Sequence, residues 1–239
     1  MSMVIDRIEE LKAKIPTEVV NELADGPLSR VMRRQTWPDH ARAEYSDFEQ
    51  ALVKGTLSKE GYLDLLVQVL PVYEALEARA EELRDDPVAG PIVIDELNRT
   101  TAIRADIDFY KQVTGTTELP EILEVTQEYV DRVRNSTPEQ FVAHHYTRYL
   151  ADLSGGVFID RALTQAYGLE GTNGRAYYVF DEIEDANLFK DAYRGTLDQL
   201  PLDRDGKRRI MEEVLLAYEF NIEMVEQLGV KHLEPAATA

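Results

Sequence analysis

The chain contains no cysteine among its 239 residues, which excludes disulfides, thiolate metal sites and thiol nucleophiles. Without cysteine, a metal ion would need histidine, tyrosine or carboxylate ligands. The whole sequence has four histidines. No run of about 18 apolar residues is present, and the acidic start lacks the basic and apolar parts of a signal peptide. We therefore expect a cytoplasmic protein that does not enter a membrane.

Positive charge is also in short supply, because 26 Lys and Arg residues face 45 Asp and Glu residues and the formal net charge is -19. Nucleic-acid binding depends on cations that neutralise phosphates, so we expect no nucleic-acid partner. An anionic ligand would have to bind a local basic cluster. Hydrophobic residues make up 44% and charged residues 30% of the chain, which is typical of a globular protein.

Apolar residues recur at helical spacing in almost every segment, which predicts an all-α fold. The longest strand-like run is short and covers Ala176–Phe180. We predict helices over the ranges 5–15, 28–53, 58–83, 100–111, 119–134, 138–167, 183–197 and 204–228. No repeat or linker divides the chain, so we predict one helical domain at 26–230, with a helical extension at 1–25 and a flexible tail at 231–239.

The predicted helix over 138–167 carries Gly155 and Gly156 near its middle, where each glycine costs about 1 kcal/mol relative to alanine. Two adjacent glycines permit a kink and let a flat ligand touch the backbone, although close helix packing would explain them equally well. Arg148, Asp152 and Gly156 share one helical face at spacings of four. Taken alone, such an aspartate is more often a surface or salt-bridged residue than a catalytic one.

His40 differs from the other histidines because Arg33 and Glu44 fall on its predicted helical face. A single histidine in such a position is still more often a non-ligand than a ligand. Lys190 and Arg194, one helical turn apart, need no explanation as surface cations. Together with Arg33, however, they would form a basic site able to hold two carboxylates in an acidic protein.

The remaining histidines are expected to have structural or surface positions. His144 and His145 lie in the glycine-containing helix, where a hydrogen-bonded core role is more common than metal ligation. His232 is expected to be solvated in the C-terminal tail. Pro38 disfavours helical conformation at the preceding residue, so we also predict a kink or an entry turn just before His40.

The stretch Ala143–Gly156, with the sequence AHHYTRYLADLSGG, resembles the distal-helix signature of the heme oxygenases. Further similarity lies in Glu96–Arg99, in Phe189–Arg194 and in the spacing of His40 and Glu44, and the resemblance extends from about residue 28 to residue 228. It implies an all-helical fold in which heme b lies between a proximal helix and a glycine-kinked distal helix.

The resemblance also implies roles for individual residues. It implies that His40 is the axial iron ligand and donates a supporting hydrogen bond to Glu44, and that Arg33, Tyr146, Lys190 and Arg194 face the heme propionates. On the oxygen side it implies a hydrogen-bond and water network made by Asp152, Arg148, Tyr73 and Asn221. Gly155 and Gly156 are expected to let the helix backbone lie against the heme.

The activity that the resemblance implies is oxidative cleavage of heme to biliverdin, carbon monoxide and ferrous iron. O2 would be the co-substrate, and a ferredoxin or a flavin reductase would supply electrons. The chain departs from the family at Ala151, where glycine is usual, and at Trp37, where a basic residue is common. The extra methyl group of Ala151 keeps open the alternative of a heme carrier that does not degrade heme.

Two further alternatives are weaker. A carboxylate-bridged di-iron protein usually has paired Glu-x-x-His motifs, and none of the four histidines has glutamate three residues before it. A thiaminase-like hydrolase of similar build would lack its thiol nucleophile, because the chain has no cysteine.

Overall fold

The computed structural model describes Val4, residues 8–13, Val19, Glu22 and residues 26–233. Its α-helices, in chain order, are α1 (Ile8–Ala13), α2 (Leu28–Gln35), α3 (Trp37–Glu44), α4 (Asp47–Val53), α5 (Lys59–Glu82), α6 (Thr100–Thr114), α7 (Glu124–Arg134), α8 (Pro138–Tyr167), α9 (Ala186–Asp198) and α10 (Arg204–His232). Short 3-10 turns occur at Gly90–Ile92, Asp95–Leu97 and Ala176–Tyr178. The described residues contain no strand, so the all-α prediction is confirmed.

The core forms where the three long helices α5, α8 and α10 meet. Helix α10 packs along α8, while α5 packs against α6 and α7. Helix α4 contacts both α8 and α10, and α3 contacts α10, so these two short helices lie beside the long ones. Most of the predicted N-terminal extension, and residues 234–239 of the predicted tail, lie outside the described residues. No helix among those described is both long enough and apolar enough to cross a bilayer.

Helix α8 has the boundaries that its end signals predict. The Thr137 hydroxyl accepts from the Gln140 backbone N–H at 3.4 Å, and the Gln140 side chain accepts from the Thr137 N–H at 2.8 Å, which forms a capping box. The helix ends at Gly168 in the left-handed conformation with φ of 64°. It stays continuous through Gly155 and Gly156, neither of which has a positive φ.

The single helix predicted over 28–53 is wrong, because three helices cover this range. Thr36 separates α2 from α3, and Pro38 occupies the second position of α3, where a proline N–H is not needed. Tyr45 and Ser46 separate α3 from α4. The Ser46 hydroxyl accepts from the Glu49 N–H at 3.3 Å and so caps α4. The entry turn predicted before His40 is confirmed. Apolar periodicity did not reveal the breaks because each is very short, with one residue between α2 and α3 and two between α3 and α4.

Three smaller expectations are also corrected. Helix α7 begins at Glu124 instead of residue 119, because Pro120 disfavours helix at the residue before it. The strand-like run at Ala176 forms a 3-10 turn. Helix α10 continues to His232, and this histidine is not solvated as expected, since its Nε2 lies 2.7 Å from the buried carboxylate of Asp64.

Candidate functional site

A cleft of about 460 Å³ lies between the proximal helices α2 and α3 and the helices α8 and α9. It is lined by Arg33, Thr36, Trp37, His40, Tyr146, Thr147, Leu150, Ala151, Ser154, Asn187, Lys190, Asp191, Arg194 and Tyr218. The cleft therefore brings together His40 and the four residues that were expected to hold carboxylates, although these residues come from four different helices.

His40 lies on the proximal wall with its ring held by neighbours. The Trp37 ring stacks on it with centroids 5.7 Å apart and planes 3° from parallel. Its Nδ1 is buried 3.5 Å from Glu44 Oε2, within ion-pair range but long for a hydrogen bond. Because Nδ1 faces this carboxylate, Nε2 is the nitrogen left for a ligand. No cluster of three potential His, Cys, Asp or Glu ligands occurs in the described part of the chain, so a metal at His40 would need non-protein ligands.

A cationic cluster made by Arg33, Lys190 and Arg194 lies along the cleft. Burial of Lys190 and the nearby charges of Arg194 and Arg33 lower the pKa of the Lys190 ammonium. Burial raises the pKa of Tyr146, and the same two arginines oppose that rise, which places Tyr146 beside them. The buried Nε of Arg194 has no hydrogen-bond partner among the described residues. The Nη1 of Arg194 donates to Asp191, which also lines the cleft, at 2.9 Å, and an anion in the cleft would relieve the repulsion within the cluster.

Next to the lining face of α8, a buried hydrogen-bond network surrounds Asp152. The Tyr73 hydroxyl donates to Oδ2 of Asp152, and the Tyr177 hydroxyl donates to Oδ1 at 3.1 Å. Arg148 donates through Nε to Tyr73 at 3.2 Å and through Nη2 to Tyr177 at 2.7 Å. Its Nη1 donates to Oδ1 of Asn221. The fold thus brings together all four residues expected on the oxygen side, from α5, α8 and α10.

The electrostatics of Asp152 are balanced by opposing effects. Burial raises the pKa of Asp152, whereas Arg148 and the hydroxyls of Tyr73 and Tyr177 stabilise the ionised carboxylate. Ala151, the preceding residue, belongs to the cleft wall. Asp152 itself is buried and does not line the cleft, and its proton affinity depends on its hydrogen-bond partners.

The two glycines of α8 have different surroundings. A Cβ added at Gly155 would meet no atom within 4 Å, so the helix surface there is open. A Cβ added at Gly156 would lie 2.8 Å from Cδ1 of Tyr178, so this glycine admits the ring of the neighbouring turn. Close packing thus explains Gly156, whereas the helix surface at Gly155 is open but Gly155 is not among the residues that line the cleft.

His144 and His145 are core residues, as expected. The Nε2 atom of His144 lies 2.8 Å from Glu213 Oε1, and Nδ1 of His145 lies 2.7 Å from the Tyr193 hydroxyl. Burial lowers the pKa of His145 to about 3, so it is neutral near pH 7.

Two residues of the site were missed by sequence reasoning. Tyr218 lines the cleft, with its ring edge-on to His40 at 6.5 Å between centroids. Its position one helical turn before Asn221 was a usable signal, because residues three apart share a face. Tyr177 belongs to the Asp152 network, but nothing in its local sequence marks its hydroxyl as part of a site.

The fold and the cleft define an all-helical protein with a histidine-bearing wall and a cationic cluster facing a long helix across one cleft. The family model described as heme oxygenase matches residues 26–227 of the chain. This chain therefore belongs to the heme oxygenase family.

Solved structures and curated relatives agree with this assignment. The heme oxygenase of Porphyra purpurea is 35% identical over 205 residues, which cover 84% of this chain and 86% of the relative. The crystal structure of heme oxygenase-1 from Synechocystis in complex with heme matches with a TM-score of 0.80 at 35% identity, covering 86% of this chain and 93% of that one. The heme oxygenase structure from Leptospira interrogans matches with a TM-score of 0.78 at 33% identity, covering 84% of this chain and 99% of that one. These similarities support an oxygenase and not the carrier alternative.

Proposed function

We propose that this heme oxygenase cleaves heme oxidatively to biliverdin, carbon monoxide and ferrous iron, with O2 as co-substrate and electrons from an external donor. The proposal rests on two features that occur together at the same cleft. The cleft offers one histidine and a cationic cluster, and a buried carboxylate network is centred on Asp152, the residue after Ala151 of the cleft wall. A carrier would need the first feature but not the second.

His40 is the proposed iron ligand. Heme b supplies the redox-active iron that activates O2, and it is also the molecule that is oxidised. Glu44 next to Nδ1 favours the tautomer that leaves Nε2 unprotonated and fixes the ring orientation together with Trp37. As a neutral ligand, the His40 imidazole would donate less electron density to the iron than a thiolate would.

The cationic cluster is the proposed site for the two heme propionates. Arg33 and Arg194 supply planar donors suited to carboxylates, and Lys190 supplies a point charge. The hydroxyl of Tyr146 lies with them and can donate a further hydrogen bond. Anchoring both propionates on one side sets the rotation of the ring in the cleft, and thereby the edge presented to the oxygen side. Gly155 gives the flat ring access to the α8 backbone.

Asp152 is proposed to act without contact to iron. Held by Tyr73 and Arg148, its carboxylate orders water on the oxygen side of the cleft and holds or releases a proton there. Asn221 fixes Arg148 and donates to the Ala217 carbonyl oxygen at 2.6 Å, which ties the network to α10. The buried position of these groups strengthens each interaction relative to water.

The electron donor is proposed to be a ferredoxin or a flavin reductase. Such a donor would dock near the cationic cluster and the adjacent Arg34, because this face is basic in an otherwise acidic protein. The division into an extension at 1–25, a domain at 26–230 and a tail at 231–239 also stays a proposal, as does the cytoplasmic location.

Aerobic turnover of added heme with ascorbate tests the function. His40→Ala should weaken the heme absorption spectrum itself, because the ligand is lost. Asp152→Asn should keep heme binding and lose bilin formation, whereas Asp108→Asn, at an exposed position of α6, should behave like the wild type. An unchanged heme spectrum after reductant and oxygen in the wild type would overturn the oxygenase assignment. The same phenotype for His40→Ala and Asp152→Asn would overturn the separate roles.

A further inference from the structure

The 3-10 turn Ala176–Tyr178, which the sequence marked only as a strand-like run, places the Tyr177 side chain inside the protein with 2% exposure. Its hydroxyl lies 3.1 Å from Oδ1 of Asp152, 2.7 Å from Nη2 of Arg148 and 3.0 Å from the Tyr73 hydroxyl. The family resemblance did not assign Tyr177 to the site, yet this residue contacts three residues of the proposed oxygen-side network.

The hydrogen bonds of the two tyrosines form a closed ring. A phenol has one proton to donate and can accept from other donors. Tyr73 donates to one carboxylate oxygen of Asp152 and Tyr177 donates to the other, while Arg148 donates to both hydroxyls. Each oxygen of the carboxylate thus has its own phenol. With Tyr73 alone, the carboxylate could rotate about one hydrogen bond, whereas the second bond fixes its plane.

The backbone that carries Tyr177 is itself held by three hydrogen bonds with two side chains. The buried carboxylate of Asp106 on α6 accepts from the backbone N–H of Ala176 at 3.0 Å and from that of Tyr177 at 2.9 Å. Arg99 donates to the Val179 carbonyl oxygen at 2.6 Å just after the turn. These bonds fix the backbone of the turn, and the fold therefore sets the position of the Tyr177 hydroxyl.

We propose that Tyr177 is a positioning residue for heme oxidation, whose hydroxyl fixes the orientation of the Asp152 carboxylate and shares with Tyr73 the stabilisation of its ionised form. This inference rests on the proposed role of Asp152. Without the Tyr177 hydroxyl, one carboxylate oxygen loses its donor and Nη2 of Arg148 loses its acceptor. Loss of a hydrogen bond to the ionised form makes that form less stable, so Asp152 would take up a proton at a higher pH.

The neighbouring Tyr178 provides a matched control. It sits in the same turn, and its hydroxyl makes no hydrogen bond among the described residues, while its ring carbons pack against Gly156. Tyr177→Phe and Tyr178→Phe each remove one hydroxyl and keep the ring, so packing is preserved in both. The Tm of each heme-free variant and its Kd for heme confirm that fold and heme binding are retained.

The experiment compares the bilin formation rate across pH and the pH midpoint of the acid-to-alkaline change in the optical spectrum of the ferric heme-loaded protein. Tyr177→Phe should form bilin roughly 10-fold more slowly and shift the acid limb of its pH profile upward by roughly 1 pH unit. Its optical midpoint should move as well. Tyr178→Phe should match the wild type in all three. In an Asp152→Asn background, Tyr177→Phe should produce no further shift of the optical midpoint.

Suppose that Asp152→Asn abolishes bilin formation but Tyr177→Phe keeps the wild-type rate, pH profile and optical midpoint. This result would overturn the role of Tyr177 and leave that of Asp152 intact. Equal losses in Tyr177→Phe and Tyr178→Phe would also overturn it, because packing of the turn would then be responsible. Unchanged bilin formation in Asp152→Asn would instead overturn the proposed role of Asp152 and the Tyr177 inference with it.

Discussion

Replacing Arg132 by methionine should destabilise the fold at neutral pH by several times the loss expected for an exposed arginine. Arg132 on α7 donates to Glu213 on α10 through Nε at 2.8 Å and through Nη2 at 2.6 Å. The Glu213 side chain is 4% exposed, and its other close polar neighbour is His144, whose Nε2 lies 2.8 Å away. Methionine keeps much of the side-chain volume but leaves the buried carboxylate with His144 alone.

The magnitude follows from the electrostatics of Glu213. Burial opposes ionisation, but Arg132 and His144 bring the pKa of Glu213 down to about 2 from its usual 4.5. At about 1.4 kcal/mol for each unit of pKa, the pairing adds about 3 kcal/mol to the free energy of unfolding at neutral pH. Breaking a buried pair by removing one partner typically costs about 3–5 kcal/mol, so we expect a loss of about 3 kcal/mol or more.

The sign of the pH dependence is fixed by the lowered pKa. Stabilisation by the pair is fully present above pH 4.5 and is lost as the pH falls toward about 2. In Arg132→Met, burial still opposes ionisation of Glu213 but the arginine that offset it is gone. The folded variant therefore carries a destabilised Glu213 carboxylate near pH 7 and a protonated Glu213 in acid. The difference between wild type and variant should therefore shrink as the pH is lowered.

Urea denaturation of the heme-free proteins, followed by circular dichroism near pH 7 and near pH 4, measures both effects. The control is Arg209→Met, which breaks an ion pair with Glu139 at 2.8 Å in which the arginine is 48% exposed. It should lose less than about 1 kcal/mol at either pH. Equal losses for the two variants, or a loss for Arg132→Met that does not depend on pH, would refute the reasoning.

The remaining predictions concern α8. Gly156→Ala should lower the Tm of the heme-free protein, by about 2–4 °C per kcal/mol of strain, because its Cβ would lie 2.8 Å from the Tyr178 ring; an unchanged Tm would contradict this. Gly155→Ala meets no atom within 4 Å, so it should not lower the Tm but should weaken heme binding, measured by fluorescence quenching of Trp37, the only tryptophan. Unaltered quenching would show that the ring does not approach Gly155. Ala151→Gly should reduce stability by about 1 kcal/mol and increase the bilin formation rate with ascorbate, and an unchanged rate would mean that the methyl group does not crowd the cleft.

The sequence by itself determined which segments are helical and which residues could carry chemistry. Apolar spacing and end signals such as Thr137 and Gly168 act over a few residues, so they are visible without the fold. The motif Ala143–Gly156 indicates the family on its own, because its length makes a chance match improbable. Boundaries set by competing local effects were less accurate, as the three helices within 28–53 show.

The tertiary structure alone decided which residues meet. Tyr73 and Asp152 are 79 positions apart, and the contact between their side chains depends on how α5 packs against α8. His232 was assigned to solvent because the sequence does not show that Asp64, 168 positions away, lies beside it. Tyr177 likewise had no local signal, since its hydroxyl acquires meaning only where Arg148 and Asp152 face it. Helix formation is local, whereas hydrogen bonds between buried side chains depend on packing over the whole chain, and this is why the fold could be predicted while the full network could not.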